Sequence, residues 1–536
     1  MAKRFGVMLD MSRNAVMKPS EVKKFASIIK SFGYNMIQLY TEDTYEVDGE
    51  PYFGYLRGRY SKEELRDIVE YCNSIGIEVI PCIQTLAHLN QIFRWDEYKK
   101  INEISDILLV DDERTYELID NMLRTVSECF TSKTVHIGMD EAFLLGRGRC
   151  IDRNGYESRF DILRRHLERV MDIVKKYSLE PVMWSDMFFR LANNGEYVLK
   201  DTSLITEEVL SAKPDGVDLV YWDYYSNDPT RYETMLKAHK MFEGDTWFAG
   251  GVWTWRGFAS NNVWTLESMT VAMEECKKIG VDNILMTMWG DDGKECSFYA
   301  MLPSLYAIRR IYDGESDMEK IKGEFCAITG ERFDGMMLFD LPTSIGESPR
   351  KERTFHKDLL YSDPFLGFLD TVPYKQVREE YEALSVELLA KGEKSAYKYI
   401  FESQAALCRV LAIKHDLGKR TREIYKRGNR EEIASLADDY KRATDALEEF
   451  ISLFRRLWFK ENKPHGFDVQ ELRLGGLLLR LRSQKERLLS YADGEVDVIE
   501  ELEEELLEYV GHGNKKGTDM LPIINSWGKT VTPNVL

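Results

Sequence analysis

The chain has 536 residues with a formal net charge of -19, and 44% of its residues are hydrophobic. A chain of this length is too long to fold around one ordinary hydrophobic core, so we expect two or three domains. The acidic balance argues against a nucleic-acid partner, which would require a basic face to neutralise phosphates, and it leaves a neutral sugar open as a ligand.

The sequence carries no signal for membrane insertion, secretion or metal binding. No apolar run reaches the roughly 18 residues of a spanning helix, and Met1 to Arg4 lead directly into a strand-like segment without the apolar stretch of a signal peptide. The eight cysteines are scattered without a C-x-x-C pair, and the histidines show no paired ligand spacing. We therefore predict a cytoplasmic protein with reduced thiols, without a membrane partner and without a metal site.

The first 313 residues alternate short β-rich apolar runs with helical segments, which is typical of parallel strands joined by crossover helices. Eight strands in this length suit an α/β fold with one (β/α)8 TIM barrel, which we assign to residues 1–313. The predicted strands are residues 5–9, 35–40, 77–83, 134–138, 181–185, 218–225, 247–255 and 283–289.

Residues 314–536 are predicted to form a C-terminal α-helical accessory domain. The apolar residues from Ile433 to Leu457 recur in steps of three and four, which places one stripe along a long helix. Residues 377–389 and 472–489 show the same pattern, so we expect a helical bundle. The acidic stretch 495–508 is predicted to be a solvated helix face.

Two adjacent carboxylates, Asp140 and Glu141, follow the fourth predicted strand. If the strand continues to Asp140, its alternation places His136, Gly138 and Asp140 on one face and leaves Glu141 at the turn. The C-terminal ends of barrel strands form the shared concave surface where catalytic groups lie. Because adjacent carboxylates disfavour each other's charge, one can stay protonated and act as a general acid. The alternative is that the pair caps the next helix.

Other predicted strand ends combine aromatic residues with carboxylates. Tyr221, Asp223 and Tyr225 alternate along residues 218–225, while Trp184 precedes Asp186 and Trp289 precedes Asp291. An indole packs on the apolar face of a pyranose and a carboxylate accepts hydroxyl hydrogen bonds, so the pattern indicates carbohydrate recognition. For each Trp, core or rim packing is the alternative.

The segment His136 to Glu141 resembles the His-x-Gly-x-Asp-Glu signature of glycoside hydrolase family 20, the β-N-acetylhexosaminidases. Further similar motifs lie, in the family's order, at residues 9–13, 41–43 and 81–88, and the resemblance covers roughly residues 4–313.

The resemblance implies a retaining mechanism in which the substrate's own 2-acetamido oxygen attacks the anomeric carbon and forms an oxazolinium-type intermediate. Glu141 would protonate the glycosidic oxygen and later activate water, while Asp140 would orient the acetamido N–H and stabilise the intermediate's charge. No cofactor is implied.

The resemblance also implies binding roles for other residues. Tyr221 would bind the acetamido oxygen, Asp223 and Asp291 would hold sugar hydroxyls, and Trp184 and Trp289 would wall the pocket. Tyr225 and Trp255 are further substrate-binding candidates, and the residues expected to orient the catalytic pair are His88, His136, Glu42 and Asp43.

Three positions depart from the family pattern. Phe5 stands where the family has a sugar-gripping Arg, and Arg4 is one residue off, which in a strand means the opposite face. Gln84 replaces the acid of the third strand, and Met139 stands where many members have Gly.

We therefore predict an exo-β-N-acetylhexosaminidase acting on terminal non-reducing β-linked GlcNAc or GalNAc glycosides. A two-carboxylate retaining β-glycosidase, with Glu141 as acid and Asp223 or Asp291 as nucleophile, is one alternative, and a non-catalytic sugar-binding barrel is another. A homodimer is one expectation for the assembly, although the sequence does not determine the oligomeric state.

Overall fold

The computed structural model describes residues 3–345, 354–372, 377–509 and 526–535. Eight parallel strands, numbered β1 to β8, close into a barrel in which each strand pairs with its neighbours along the chain and β8 pairs with β1. The predicted (β/α)8 fold is confirmed. The strands are β1 Arg4–Asp10, β2 Met36–Tyr40, β3 Glu78–Cys82, β4 Thr134–His136, β5 Glu180–Trp184, β6 Asp218–Trp222, β7 Thr246–Gly251 and β8 Asn283–Met288.

Helices connect successive strands, and their ends follow local sequence signals. In the helix before β3, the Ser61 hydroxyl accepts a hydrogen bond from Glu64 N and the Glu64 carboxylate accepts one from Ser61 N. Gly76 then adopts φ +73° and leads into β3. The helices are Pro19–Ser31, Lys62–Ser74, Asp96–Lys99, Glu113–Cys129, Arg149–Asn154, Arg159–Lys176, Asp186–Ala192, Glu207–Ser211, Pro229–His239, Asn262–Ile279, Leu302–Asp313 and Met318–Thr329.

Side chains that alternate along the strands fill the barrel interior. In β6 these are Val220 and Trp222, so Tyr221 between them points to the helix layer outside. The interior cluster consists of Met8, Met36, Tyr40, Ile80, Cys82, Val182, Trp184, Val220, Trp247, Ala249 and Leu285, with Trp222 and Trp289 packed against it.

Three strands end two or more residues earlier than predicted. β4 ends at His136, and Gly138, Met139 and Glu141 have positive φ values of 73°, 72° and 52°. The predicted strand alternation through Asp140 is therefore wrong, because a left-handed backbone ends a strand. The predicted extensions of β6 to residue 225 and of β7 to residue 255 are also wrong.

The chain divides into two compact units. The first comprises Met1–Val252, Thr265–Trp289 and Ser304–Glu324, and the second comprises Trp253–Trp264, Gly290–Pro303 and Phe325–Leu536. The predicted domain boundary between residues 313 and 314 lies within segment 304–324 and stays a prediction.

The second unit is helical, as predicted for the C-terminal region. The stripe from Ile433 to Leu457 is buried along a helix of 32 residues. The predicted acidic helix over 495–508 is wrong apart from one turn, because β-branched residues and repelling acidic neighbours disfavour it. The α-helices after residue 330 are Phe333–Met336, Leu341–Ser344, Phe355–Tyr361, Arg378–Gly392, Lys398–Lys414, Leu417–Lys426, Arg430–Glu461, Phe467–Ala492, Glu500–Glu503 and Trp527–Val531.

Candidate active site

The turn after β4 carries the two adjacent carboxylates. A Cβ on Gly138 would overlap Gln84 Oε1 and come within 2.8 Å of the Ile83 carbonyl oxygen, so the approach of this turn to the end of β3 requires glycine. Met139 N donates a hydrogen bond to Gln84 Oε1 at 3.2 Å. The helix-cap alternative for Asp140 and Glu141 is wrong, since the next helix begins at Arg149 after Gly148.

Asp140 is held as a carboxylate. Its Oδ1 accepts a hydrogen bond from Gln84 Nε2 at 2.8 Å, and its Oδ2 lies 3.1 Å from His88 Nε2. Burial opposes ionisation of Asp140, but the charge of His88 and these hydrogen bonds outweigh it and hold the pKa of Asp140 below its usual value. The same Gln84 amide also donates to Tyr40 OH at 3.0 Å.

His88 is the cationic partner of this carboxylate. Burial would lower the pKa of His88, but Asp140 and, more weakly, Glu42 raise it to about 10. The His88 backbone has φ 57° and its N–H donates to Asp106 Oδ2 at 3.1 Å, which fixes the residue in the loop after β3. His88 therefore lies beside the pair, and its role in orienting the pair stays a prediction.

Glu141 lies in a different environment from Asp140. Its side chain is 39% exposed against 11% for Asp140, and its Oε2 lies 3.9 Å from His88 Nε2. Burial and the negative charge of Asp140 raise the pKa of Glu141, although His88, Arg190 and Arg13 act in the opposite direction. The site therefore combines an ionised carboxylate with a more accessible carboxyl that retains its proton to higher pH.

A second acidic group lies at the end of β2. Glu42 Oε1 accepts a hydrogen bond from Tyr40 OH at 2.9 Å and forms an ion pair with Arg13 Nη2 at 3.1 Å. Burial is the main reason why the pKa of Glu42 is raised. Asp43 instead bonds Arg57 at 3.0 Å and secures the loop after β2. Of the two predicted orienting acids, Glu42 interacts with the catalytic cluster through Tyr40 and His88.

Aromatic side chains form the floor beside the carboxylates. Trp184 is buried at the end of β5, and its ring centroid lies 6.0 Å from that of Trp289. Tyr40 packs edge-on against Trp289 at 4.9 Å. His136 lies under Trp184 with ring centroids 4.3 Å apart, and its Nδ1 accepts a hydrogen bond from Gly138 N at 3.1 Å. Burial lowers the pKa of His136 to about 3, so this ring is neutral.

Tyr221 does not face the catalytic pair. Its ring packs on His239 and Phe248 in the helix layer, and its hydroxyl donates to Asp223 Oδ2 at 3.0 Å. The prediction that Tyr221, Asp223 and Tyr225 share an inward face is wrong, because the register of β6 directs Val220 and Trp222 inward.

Tyr224 is the tyrosine near the pair that the sequence analysis missed. Its hydroxyl accepts a hydrogen bond from Trp289 Nε1 at 3.1 Å, and its ring stacks on Trp222. Burial raises the pKa of Tyr224, and the charges of Glu141 and Asp140 contribute to the rise. The signal available in the sequence was the even spacing of Val220, Trp222 and Tyr224.

Asp223 secures the turn after β6. Its carboxylate lies 2.6 Å from Arg231 Nε and accepts hydrogen bonds from Tyr221 OH and, at 2.9 Å, from Tyr225 N. It is buried beneath this turn, so the structure does not support its predicted contact with a sugar hydroxyl. Tyr225 is half-buried and packs on Tyr224.

Two predicted residues belong to the second compact unit. Trp255 is buried there and stacks on Trp253 with ring centroids 4.4 Å apart. Asp291 is exposed, and its carbonyl oxygen accepts a hydrogen bond from Gly293 N at 3.1 Å. Their predicted contacts with substrate stay predictions.

The position of the family's sugar-gripping Arg is buried in this chain. Phe5 packs on Tyr34 and Tyr312, and Arg4 pairs with Glu78 at the start of β3, at the opposite end of the barrel. Arg13 lies at the catalytic end, with its side chain 30% exposed beside Glu42.

The described ranges of the chain contain no group of three or more His, Cys, Asp or Glu side chains arranged to hold a metal ion. Over the same ranges, no helix has both the length and the apolar character needed to cross a membrane.

Two family models match the chain. The catalytic domain of glycosyl hydrolase family 20 matches residues 5–226, and the Glycoside Hydrolase 20C C-terminal domain matches residues 332–521. Together they cover most of the sequence.

Individual relatives are distant. Hexosaminidase D of Bos taurus is 25% identical over 252 residues, which cover 45% of this chain and 68% of that protein. Hexosaminidase D of Homo sapiens is 25% identical over 229 residues, which cover 41% of this chain and only 44% of that protein. Among solved structures, a Flavobacterium johnsoniae chitobiase is 14% identical in sequence and superposes with a TM-score of 0.48. The match covers 93% of this chain and 73% of the chitobiase chain.

Proposed function

Since this chain belongs to glycoside hydrolase family 20, we propose that it is an exo-β-N-acetylhexosaminidase that releases terminal non-reducing β-linked GlcNAc or GalNAc without a cofactor. The observation that carries the proposal is the different contacts of the adjacent carboxyl groups: Gln84 and His88 contact Asp140, whereas Glu141 is more exposed. The pKa is accordingly lowered for Asp140 and raised for Glu141. One group is prepared to stabilise positive charge and the other to donate a proton.

The proposed mechanism is substrate-assisted and retaining. Glu141 donates its proton to the glycosidic oxygen as the substrate's acetamido oxygen attacks the anomeric carbon. The Asp140 carboxylate, held by Gln84 and His88, accepts the acetamido N–H and stabilises the positive charge of the cyclic intermediate. Glu141, now ionised, removes a proton from the water that opens this intermediate.

Substrate recognition is proposed to use the aromatic floor and two polar groups. Trp184 and Trp289 pack against the sugar and its acetamido methyl group. Tyr224 takes the role first predicted for Tyr221 and donates a hydrogen bond to the acetamido oxygen. Arg13 with Glu42 replaces the missing arginine of β1 in binding sugar hydroxyls.

The two alternatives are less well supported. In a two-carboxylate mechanism Asp223 or Asp291 would be the nucleophile, and the ion pair of Asp223 with Arg231 and its burial oppose attack on a sugar by Asp223. A non-catalytic sugar-binding barrel would not require carboxyl groups with opposite pKa shifts.

The test is a panel of aryl N-acetyl-β-glucosaminides and N-acetyl-β-galactosaminides, with the matching β-glucosides as controls. We expect hydrolysis of the acetamido substrates alone and tight competitive inhibition by a thiazoline that mimics the cyclic intermediate. Equal cleavage of the β-glucosides would support the two-carboxylate mechanism. Sugar binding without hydrolysis would support the binding barrel.

A further inference from the structure

The N-terminus of the helix Asp186–Ala192 contacts the turn that carries Glu141. Asp186 is 0% exposed, and its Oδ2 accepts a hydrogen bond from Glu141 N at 3.1 Å. The same oxygen lies 3.4 Å from Arg190 Nε, one turn along the helix. Because Asp186 is buried, it cannot make the contact with sugar that the Trp184–Asp186 pattern suggested. Its carboxyl group instead contacts other residues of the protein.

The turn at Glu141 needs such support. Glu141 has φ 52°, a left-handed conformation that is unfavourable for a residue with a side chain, and its carbonyl accepts a hydrogen bond from Phe143 N at 2.6 Å. The Arg190 guanidinium lies 4.9 Å from the centre of the Phe143 ring. The helix therefore contacts the turn at two points, the Glu141 amide and the Phe143 ring.

Stability alone does not explain Asp186. Its Oδ1 is buried and makes no hydrogen bond with any part of the chain that the structure describes. Burial and the nearby charge of Asp140 raise the pKa of Asp186 to about 7. A buried carboxyl with one unsatisfied oxygen destabilises a fold, and such groups are concentrated at functional sites.

We propose that Asp186 is a positioning residue for the general acid. Its carboxyl group fixes the Glu141 backbone so that the Glu141 side chain meets the glycosidic oxygen, and Arg190 holds both Asp186 and Phe143. This inference rests on the proposed function, because it assigns Asp186 to the proton-transfer step of that reaction.

The dependence of kcat/KM on the leaving group reports proton donation, and a general loss of stability does not change this dependence. A poor leaving group depends on a well-placed acid, whereas an activated one departs without it. Loss of positioning should therefore make log kcat/KM depend more steeply on the leaving group. A change that only destabilises the fold lowers kcat/KM for all substrates by the same factor.

The experiment compares Asp186→Ala and Asp186→Asn with the wild type on aryl N-acetyl-β-glucosaminides from dinitrophenyl to methoxyphenyl. For the alanine variant we expect kcat/KM to fall roughly 10- to 100-fold on the methoxyphenyl substrate and by less than about threefold on the dinitrophenyl one. The asparagine variant keeps an oxygen for the Glu141 N–H, so it should restore both values to within about threefold of the wild type.

Glu103→Gln is the matched control. Glu103 is also a buried carboxylate that accepts backbone hydrogen bonds, from Gly148 N at 2.9 Å and Cys150 N at 2.7 Å, but it does not contact Glu141. We expect it to lower Tm without changing the leaving-group slope.

The outcomes separate the two proposals. A wild-type slope in Asp186→Ala, or equal losses on both substrates, would overturn the positioning role while the proposed function stands. If the wild type hydrolyses none of the substrates, the proposed function fails first. Should Asp186→Ala not fold, Arg190→Met becomes the test, and a steeper slope would support the role while an unchanged slope would refute it.

Discussion

The two neighbouring carboxyl groups Asp140 and Glu141 lie in different surroundings. Gln84 and His88 hold Asp140 as an anion. Within the described part of the chain no such donor reaches the Glu141 carboxyl, and Asp186 holds Glu141 through its backbone N–H. An amide at residue 84 is well suited to this task, since it donates to Asp140 while it accepts from Met139 N. The departure from the family's acid at this position therefore keeps the anchoring of Asp140.

The different roles proposed for Asp140 and Glu141 predict that substituting them lowers kcat/KM to different extents. On a dinitrophenyl N-acetyl-β-glucosaminide, whose leaving group hardly needs protonation, Glu141→Gln should lower kcat/KM by roughly tenfold or less. Asp140→Asn removes charge stabilisation from the transition state and should lower it roughly 100- to 1,000-fold. Steady-state kinetics with this substrate measure both values, and the reverse order would refute the assigned roles.

The pH dependence of kcat/KM should follow the same two groups. Activity rises as Asp140 ionises, at a pH set by a pKa below its usual value, and falls as Glu141 loses its proton, at a pH set by a pKa above its usual value. His88 stays charged between these limits, since its pKa is about 10.

His88→Gln removes a positive charge that favours both carboxylates in their ionised forms. Both pKa values should rise, so the acid and alkaline limits of the profile should move to higher pH, the acid limit by about one unit or more. The exposed His465→Gln is the control and should leave both limits unchanged. An acid limit that stays in place would show that His88 is not the main partner of Asp140.

At the scale of elements, the register of β6 decides which tyrosine reaches the site. Strand side chains alternate between the two faces, so Tyr221 points away from the interior that Val220 and Trp222 face. Tyr224 continues the inward spacing two residues after the strand ends.

Matched phenylalanine variants test this register. Tyr224→Phe should lower kcat/KM roughly 10- to 100-fold by removing a donor to the acetamido oxygen. It should also reduce the free energy of unfolding by about 1–2 kcal/mol, since Trp289 Nε1 loses an acceptor. Tyr221→Phe should leave kcat/KM within about threefold of the wild type but reduce the free energy of unfolding by about 1–2 kcal/mol, since Asp223 loses a buried hydrogen bond. Thermal unfolding and kinetics separate the two effects.

Much of this architecture was predictable from the sequence because its signals are local. Hydrophobic periodicity identified the eight strands of the barrel and the long C-terminal helix, and the adjacent Asp140 and Glu141 indicated the site. The ends of β4, β6 and β7 were not predictable in the same way, since β-prone residues continue after the hydrogen-bonded ladder has ended. The bond from Glu141 to Asp186 joins residues 45 apart and follows only from the three-dimensional packing.

At the scale of the whole molecule, the second unit includes a buried charge cluster. Lys357 Nζ lies 2.9 Å from both Asp292 Oδ2 and Glu295 Oε1, and Arg473 pairs with the same two acids. The cluster ties the loop 290–303 to helices of the second unit.

Lys357→Met should reduce the free energy of unfolding, because these charges are buried. Removing one partner leaves Glu295 buried with less compensation, so the free energy of unfolding should fall by about 3–5 kcal/mol. Lys398→Met, which removes an exposed lysine 4.0 Å from Glu402, is the matched control and should change it by less than about 0.5 kcal/mol. Urea unfolding followed by circular dichroism measures both, and similar losses in the two variants would contradict the prediction.

The division of the chain into interleaved segments has a consequence for how its gene can be cut and recombined. A gene ending after residue 313 would encode all eight strands but would lack Lys357 and Arg473, which hold Asp292, and Asp340, which bonds Ser260 and Asn262. The loops 253–264 and 290–303 would then be translated without their packing partners. We therefore expect the barrel and the helical region to be inherited and expressed together, and a single crossover at that boundary to separate two loops from the residues that shape them.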